Sequence, residues 1–239
     1  MGYLYHGHLS VSSGFVKNRK IAVCSSHFLW YNRAKSQKGG ASLDNYELSR
    51  DRAQAYFLNF DQQKLISFWK LRHDEHFLYV GFFHQDYRIN RGTGQVLRND
   101  DTEAGFEEVL SIFDFLCHEG EQKLLSGRWA PVNSLEGLGA AAGVGTNFHG
   151  KTADRFDRNP QAFRAACEAM GGEEIAMGDI GYRFPVFGDF SIILKFYHSD
   201  EDFPASATIL WDANTLRFLF YETTFYISGF LLKSIAEHM

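Results

Sequence analysis

IGYRFPVFGDFSIILKFY, residues 180–197, is the stretch on which the fold turns. Two eight-residue runs, rich in aromatic and β-branched side chains, flank Gly188-Asp189. A two-residue link of this kind between such runs is the signature of a tight antiparallel hairpin. Pro185 has no N–H for a strand ladder, so the first run is expected at a sheet edge or a bulge. Downstream, SATILW and LRFLF flank Asp212-Ala213-Asn214-Thr215, which reads as a four-residue turn between two further strands. The tail from Glu222 to His238 carries Phe225, Gly229, Leu232 and Ile235 at helical spacing. Four antiparallel strands followed by a helix predict an α+β domain, not a parallel doubly wound one.

Upstream, Tyr46–Leu58 has the intervals of a helix, and Asp61 reads as the cap of a second, short one carrying Leu65, Phe68 and Trp69. HFLYVGFF (76–83), DYRINR (86–91) and QVLR (95–98), with Gly92-Thr93-Gly94 as a tight turn, predict a small antiparallel meander. Asp100 and Glu103 read as a capping box opening a helix with Phe106, Val109, Leu110, Phe113, Leu116 and Cys117 on one face, ended by Gly120. A second clear helix has Asn159 as cap, Pro160 in its first turn, and Gly171-Gly172 at its end. Between these two helices, LEGLGAAAGVGTNFHG (135–150) is expected to be loop-like. Its Gly137, Gly139 and Gly143 form a weak dinucleotide motif, because the preceding WAPVNSL contains Pro131 and shows no strand alternation.

A chain of 239 residues with 23 Phe, 11 Tyr and 4 Trp can bury one aromatic core, and a single domain is the expectation. Charge is unevenly distributed. Residues 1–42 hold six Lys or Arg and no Asp or Glu; the remainder has 18 basic and 29 acidic residues, a net of −11. Lys38-Gly39-Gly40 is what a purine-rich ribosome-binding sequence spells when translated in frame, with Leu43 at the distance of a TTG start codon. Residues 1–42 are therefore expected to be a poorly packed basic leader outside the natural protein, and residues 43–239 the single α+β domain. Cys24, Cys117 and Cys167 make no CxxC pair, so a disulfide framework, zinc knuckle or iron–sulfur cluster has no sequence support, and a reduced cytoplasmic setting fits. No apolar run approaches the roughly 18 residues needed to span a bilayer. Neither a nucleic-acid nor a membrane partner is expected.

Two polar clusters remain. His73, Asp74, Glu75 and His76 precede a strand, where residues three apart face opposite ways, so a charged loop is the reading and no metal is expected. In FYHSDEDFPASATILWD (196–212), Asp200, Glu201 and Asp202 fall in the bend between two runs. One reading makes Asp200 a turn cap and leaves the others in water. The other has Phe203-Pro204 pin the bend against the core, so that aromatic surroundings raise carboxylate pKa values and shape a ligand site.

FEEVLSIFDFLC (106–117), LLSGRWAPVNSL (124–135), MGDIGYRF (177–184), SDEDFPASATILWD (199–212) and YET (221–223) together resemble an uncharacterised prokaryotic family, domain of unknown function 3786, frequent in strict anaerobes. The resemblance runs from about Asn45 to the C-terminus. Several relatives look as if they carry an additional iron–sulfur module typical of corrinoid proteins, which implies a role beside corrinoid or other tetrapyrrole one-carbon chemistry; this chain has no matching cysteine motif. The polar residues carried over by position are Asp114, Arg128, Trp129, Asp179, Asp200, Glu201, Trp211, Asp212 and Glu222.

The resulting expectation is a ligand-binding or accessory protein of anaerobic metabolism. A flat or partly apolar ligand would lie against the aromatic sheet, held by Arg128, Trp129, Asp179, Asp200, Glu201, Trp211, Asp212 and Glu222. Two alternatives stay open: a hydrolase-like enzyme pairing Glu201 with Asp179 or Asp212, and an interaction module with an exposed aromatic patch.

Overall fold

The computed structural model describes residues 45–118, 124–138, 147–148 and 150–239. The expectations for residues 1–42, for the stop at Gly120 and for Gly139 and Gly143 lie outside the described residues. Helix α1 (Asn45–Leu58) buries Ala53 and Phe57, four apart on one face. Helix α2 (Gln62–Trp69) opens where expected: the Asp61 carboxylate accepts the N–H groups of Gln63 and Lys64, and Lys70, at φ 52, closes it in the left-handed region. The meander follows as β1 (Arg72–His73), β2 (Phe77–Phe82), β3 (Gln85–Asn90) and β4 (Val96–Arg98), all neighbours antiparallel. Leu78 opposite Ile89 and Val80 opposite Tyr87 put four buried side chains on its inner face. Gly94, at φ 73, makes the turn before β4.

Helix α3 (Phe106–Cys117) begins six residues after the expected cap. Asp100 instead bonds its own turn through Thr102, and Leu97 bridges to Glu103, so these residues extend the meander. The helix is capped from within, by Glu108 reaching back to the N–H of Gly105 at 2.6 Å. The WAPVNSL segment also departs from its reading. Trp129–Pro131 is a short strand, β5, because its backbone finds the free edge of a strand more than 70 residues later. Strand β6 (Asn147–Phe148) and helix α4 (Lys151–Arg158) come next, then α5 (Pro160–Ala169) with its Asn159 cap, and β7 (Glu173–Glu174). Helix α4 escaped the sequence reading because only Ala153 and Phe156 of its eight residues are apolar.

The hairpin forms as β8 (Ile180–Phe187) and β9 (Phe190–Tyr197), with a register shift at Pro185–Phe187 and Gly188 at φ 53. Strand β10 (Ser206–Asp212) completes an antiparallel sheet of order β5-β10-β9-β8-β7, with β6 also on β10. The fourth strand expected at LRFLF does not form. The Thr215 hydroxyl donates to the Asp212 carbonyl, a 3-10 turn covers Thr215–Arg217, and Phe220 leads into helix α6 (Tyr221–His238). Two antiparallel sheets with six helices among the described residues make a single α+β domain.

One face of the second sheet is apolar by alternation: Tyr182, Phe184, Ile192, Leu194, Phe196, Ile209 and Trp211 are all buried. Phe156 of α4 stacks on Phe163 of α5 at 4.3 Å, and both approach Phe196 edge-on. The two sheets meet where the Phe83 N–H donates to the Val186 carbonyl at 2.9 Å and where Phe82 and Phe115 lie against Phe187, with Phe230 against Phe82.

Candidate functional site

Helices α4 and α6 face one another across a recess of about 430 Å³. From α4 come Lys151, Thr152 and Arg155, which lie on one face because positions 151, 152 and 155 share a helical stripe. From α6 come Gly229, Leu232, Lys233 and Ala236, a stripe at i, i+3, i+4 and i+7. Three cations thus line one hollow, and no acid is among its lining residues that the structure describes. Lys233 approaches Glu237 at 4.0 Å, an exposed pair of small worth. Lys151 and Arg155 form no ion pair among the described residues. Gly229 brings α3 and α6 close: a Cβ there would stand 3.1 Å from Glu107 Oε1. Burial pushes the Glu107 carboxyl up, with Lys233 opposing that rise.

A second polar cluster joins α4 to the bend after β9. The Asp157 carboxylate lies 2.6 Å from His198 Nδ1 and accepts the Ser199 hydroxyl at 2.6 Å. The Ser199 hydroxyl first, and His198 second, hold the Asp157 carboxyl below the usual range. Asp179 accepts the His198 N–H at 2.8 Å. In the bend itself, Asp200 accepts the N–H groups of Asp202 and Phe203, which is the turn-cap reading. Phe203 does not pin the bend: it is 69% exposed, because the backbone cap already closes the turn without it. Asp200, Glu201 and Asp202 are exposed as well.

The far end of β10 holds a different group. Asp212 is buried, and its carboxylate accepts the N–H groups of Ser126, Gly127 and Asn214 at 3.0, 2.8 and 2.9 Å. Its neighbour Trp211 is fully buried, and Trp129 sits opposite Asp212 on β5. Arg128 is exposed and pairs with Glu136. Glu222 is exposed in the first turn of α6. Of the eight expected ligand residues, the fold therefore assembles Arg128, Trp129, Trp211 and Asp212 at one end of β10. Asp179, Asp200 and Glu201 collect at the other. Six residue steps of strand separate the ends, about 20 Å, so Glu201 and Asp212 do not converge. Glu201 is exposed in the bend, while Asp179 is turned to the His198 backbone.

Asp114, also singled out from the sequence, serves the fold. It accepts the N–H of Phe220 at 2.8 Å and the Thr223 hydroxyl, and so caps α6 from α3. Among the described residues no group of three or more His, Cys, Asp and Glu is placed to hold a metal. The recess was not anticipated. Its trace in the sequence is the basic pair Lys151–Arg155 and the lone Lys233, which only the tertiary structure brings to one recess.

No curated protein and no solved structure matches the chain. A family described as a domain of unknown function (DUF3786) matches residues 61–234, a span that includes both sheets and all of α2 to α5 with most of α6. The match covers well over half the chain, and this protein is a member of that family.

Proposed function

We propose that this protein is a ligand-binding or accessory protein, and that it takes a small anionic molecule in the recess between α4 and α6. The observation carrying this reading is that Lys151, Arg155 and Lys233 line one hollow, with no acid among its described lining residues. Like charges repel, and water only screens that repulsion for the exposed Lys151, Arg155 and Lys233. An anion relieves that repulsion and gains charge-assisted hydrogen bonds. A volume of about 430 Å³ falls in the range of small-molecule sites. The cytoplasmic setting belongs to this reading and is supported by Cys167, which is buried and in no disulfide.

Thermal unfolding of the full chain with citrate, inorganic phosphate, phosphate esters and hydroxocobalamin tests the proposal; the last probe addresses the tetrapyrrole chemistry that the family resemblance implies. An anion at a hundredfold excess over its Kd stabilises by about 2.7 kcal/mol, a rise of roughly 5–10 °C for a domain of this size. The rise should vanish in an Arg155→Gln/Lys233→Gln protein. No shift with any anion at millimolar concentration would sink the reading.

A further inference from the structure

We infer that the recess between α4 and α6 is built for a phosphate monoester carrying a partly apolar body. This deepens the anion reading above and rests on it. The charge count selects the head group. Of the three lining cations, Lys233 is partly compensated by Glu237 and Glu107, which leaves Lys151 and Arg155 without an ion-pair partner among the described residues. Two unmatched cations call for a dianion. A phosphate monoester is one at neutral pH, since its second pKa is about 6, whereas a carboxylate or a sulfate ester carries a single charge. Arg155 supplies the planar fork that matches two phosphate oxygens, and Thr152 supplies a hydroxyl donor beside it.

The rest of the lining selects the body. Gly229, Leu232 and Ala236 form an uncharged wall along α6, and the recess is far larger than one phosphate group requires. Inorganic phosphate would leave that wall wet; an ester places carbon against it.

Isothermal titration calorimetry on the full chain separates the possibilities with three probes: phenyl phosphate, phenyl sulfate as a monoanion of the same shape, and inorganic phosphate. At pH 7.5 phenyl phosphate should bind at least about tenfold more tightly than either, the size of one charge-assisted hydrogen bond. At pH 5.0 its advantage over phenyl sulfate should disappear as the phosphate takes up its second proton. Lysine and arginine side chains ordinarily keep their charge across that interval. Glu107 from α3 and Glu237 from α6 are the acids beside Lys233, and their protonation would make the recess more positive. A loss of affinity at low pH therefore has the sign of the ligand and not of the protein. Arg155→Gln should weaken phenyl phosphate about tenfold; Arg158→Gln, on the same helix but outside the recess, should leave it unchanged. Equal binding of phenyl sulfate and phenyl phosphate overturns the dianion assignment while leaving the anion site standing. Equal binding of inorganic phosphate overturns the ester body. Absence of binding by all three probes, or binding indifferent to Arg155→Gln, overturns the recess itself.

Discussion

Trp211 is a large side chain with no exposure, and its indole N–H has no hydrogen-bond partner among the described residues. A buried donor left unmatched costs about 1–3 kcal/mol, so replacing the ring and removing the N–H have opposite signs. Trp211→Ala should destabilise by roughly 3–5 kcal/mol through the cavity it leaves, whereas Trp211→Phe should cost less than about 1.5 kcal/mol. Urea unfolding of both variants checks this ordering. Next door, Asp212 commits its carboxylate to three backbone N–H groups and thereby holds residues 126 and 127 against β10. Asp212→Ala should cost roughly 3 kcal/mol, because those donors lose a charged acceptor. Asp157 gives a pH-dependent test. Its folded pKa is depressed, chiefly by the Ser199 hydroxyl and then by His198. The stability it contributes is thus fully present above its unfolded pKa and is lost as pH falls through the folded one. The stability gap between the parent and Asp157→Asn should hold steady near pH 5.5 and shrink below about pH 4, where the unfolded carboxyl also becomes protonated.

At the scale of an element, helix α3 shows how a cap is chosen by packing. Glu108 is buried, accepts the Tyr87 hydroxyl at 2.7 Å and the Gly105 N–H at 2.6 Å, and pairs with Arg98 through Nε at 2.8 Å. Burial, and after it the Glu108 charge, push the Tyr87 hydroxyl far up. One carboxylate therefore starts α3 and staples it to β3 and β4. Glu108→Gln keeps the shape but removes the charge; it should cost about 2 kcal/mol, less than breaking a fully buried pair, because Arg98 is partly in water. Asn159 is the ordinary counterpart. Its side chain accepts the Ala162 N–H, and Asn159→Ala should cost about 1 kcal/mol. Chemical denaturation of the two variants should rank them in that order.

At the scale of the molecule, the two sheets share one aromatic junction. Phe187 lies at 4.1 Å, nearly parallel, over Phe115 of α3, and Phe82 of β2 approaches both Phe187 and Phe230 of α6 at 5.1 Å. Separate sheets would have separate cores; here the rings belong to one. Single-tryptophan proteins reporting from Trp69 on α2 and from Trp211 on β10 should therefore unfold with coincident urea transitions, and Phe187→Ala should shift both midpoints together. Two transitions, or a shift in one alone, would contradict a shared core.

Much of this architecture was legible locally. The meander, the β8–β9 hairpin, Asp61 and Asn159 as caps, and the tail helix are all written in periodicity, turn residues and short-range hydrogen bonding, which a chain segment decides by itself. What stayed hidden depends on partners distant in sequence. Trp129–Pro131 became a strand because β10 offered an edge; LRFLF instead runs through a 3-10 turn into α6, whose start Asp114 of α3 fixes by accepting the Phe220 N–H. The expected ligand residues were divided between the two ends of β10 because side chains close in sequence are carried apart by a strand's rise. The basic recess arose the opposite way: Arg155 and Lys233, 78 positions apart, line one hollow only because the tertiary fold carries α4 and α6 to its two sides. Sequence alone determined which segments are helix or strand wherever local hydrogen bonds and alternation suffice. The tertiary structure alone decided which charges meet, because electrostatic proximity is a property of packed surfaces and leaves no period in the chain.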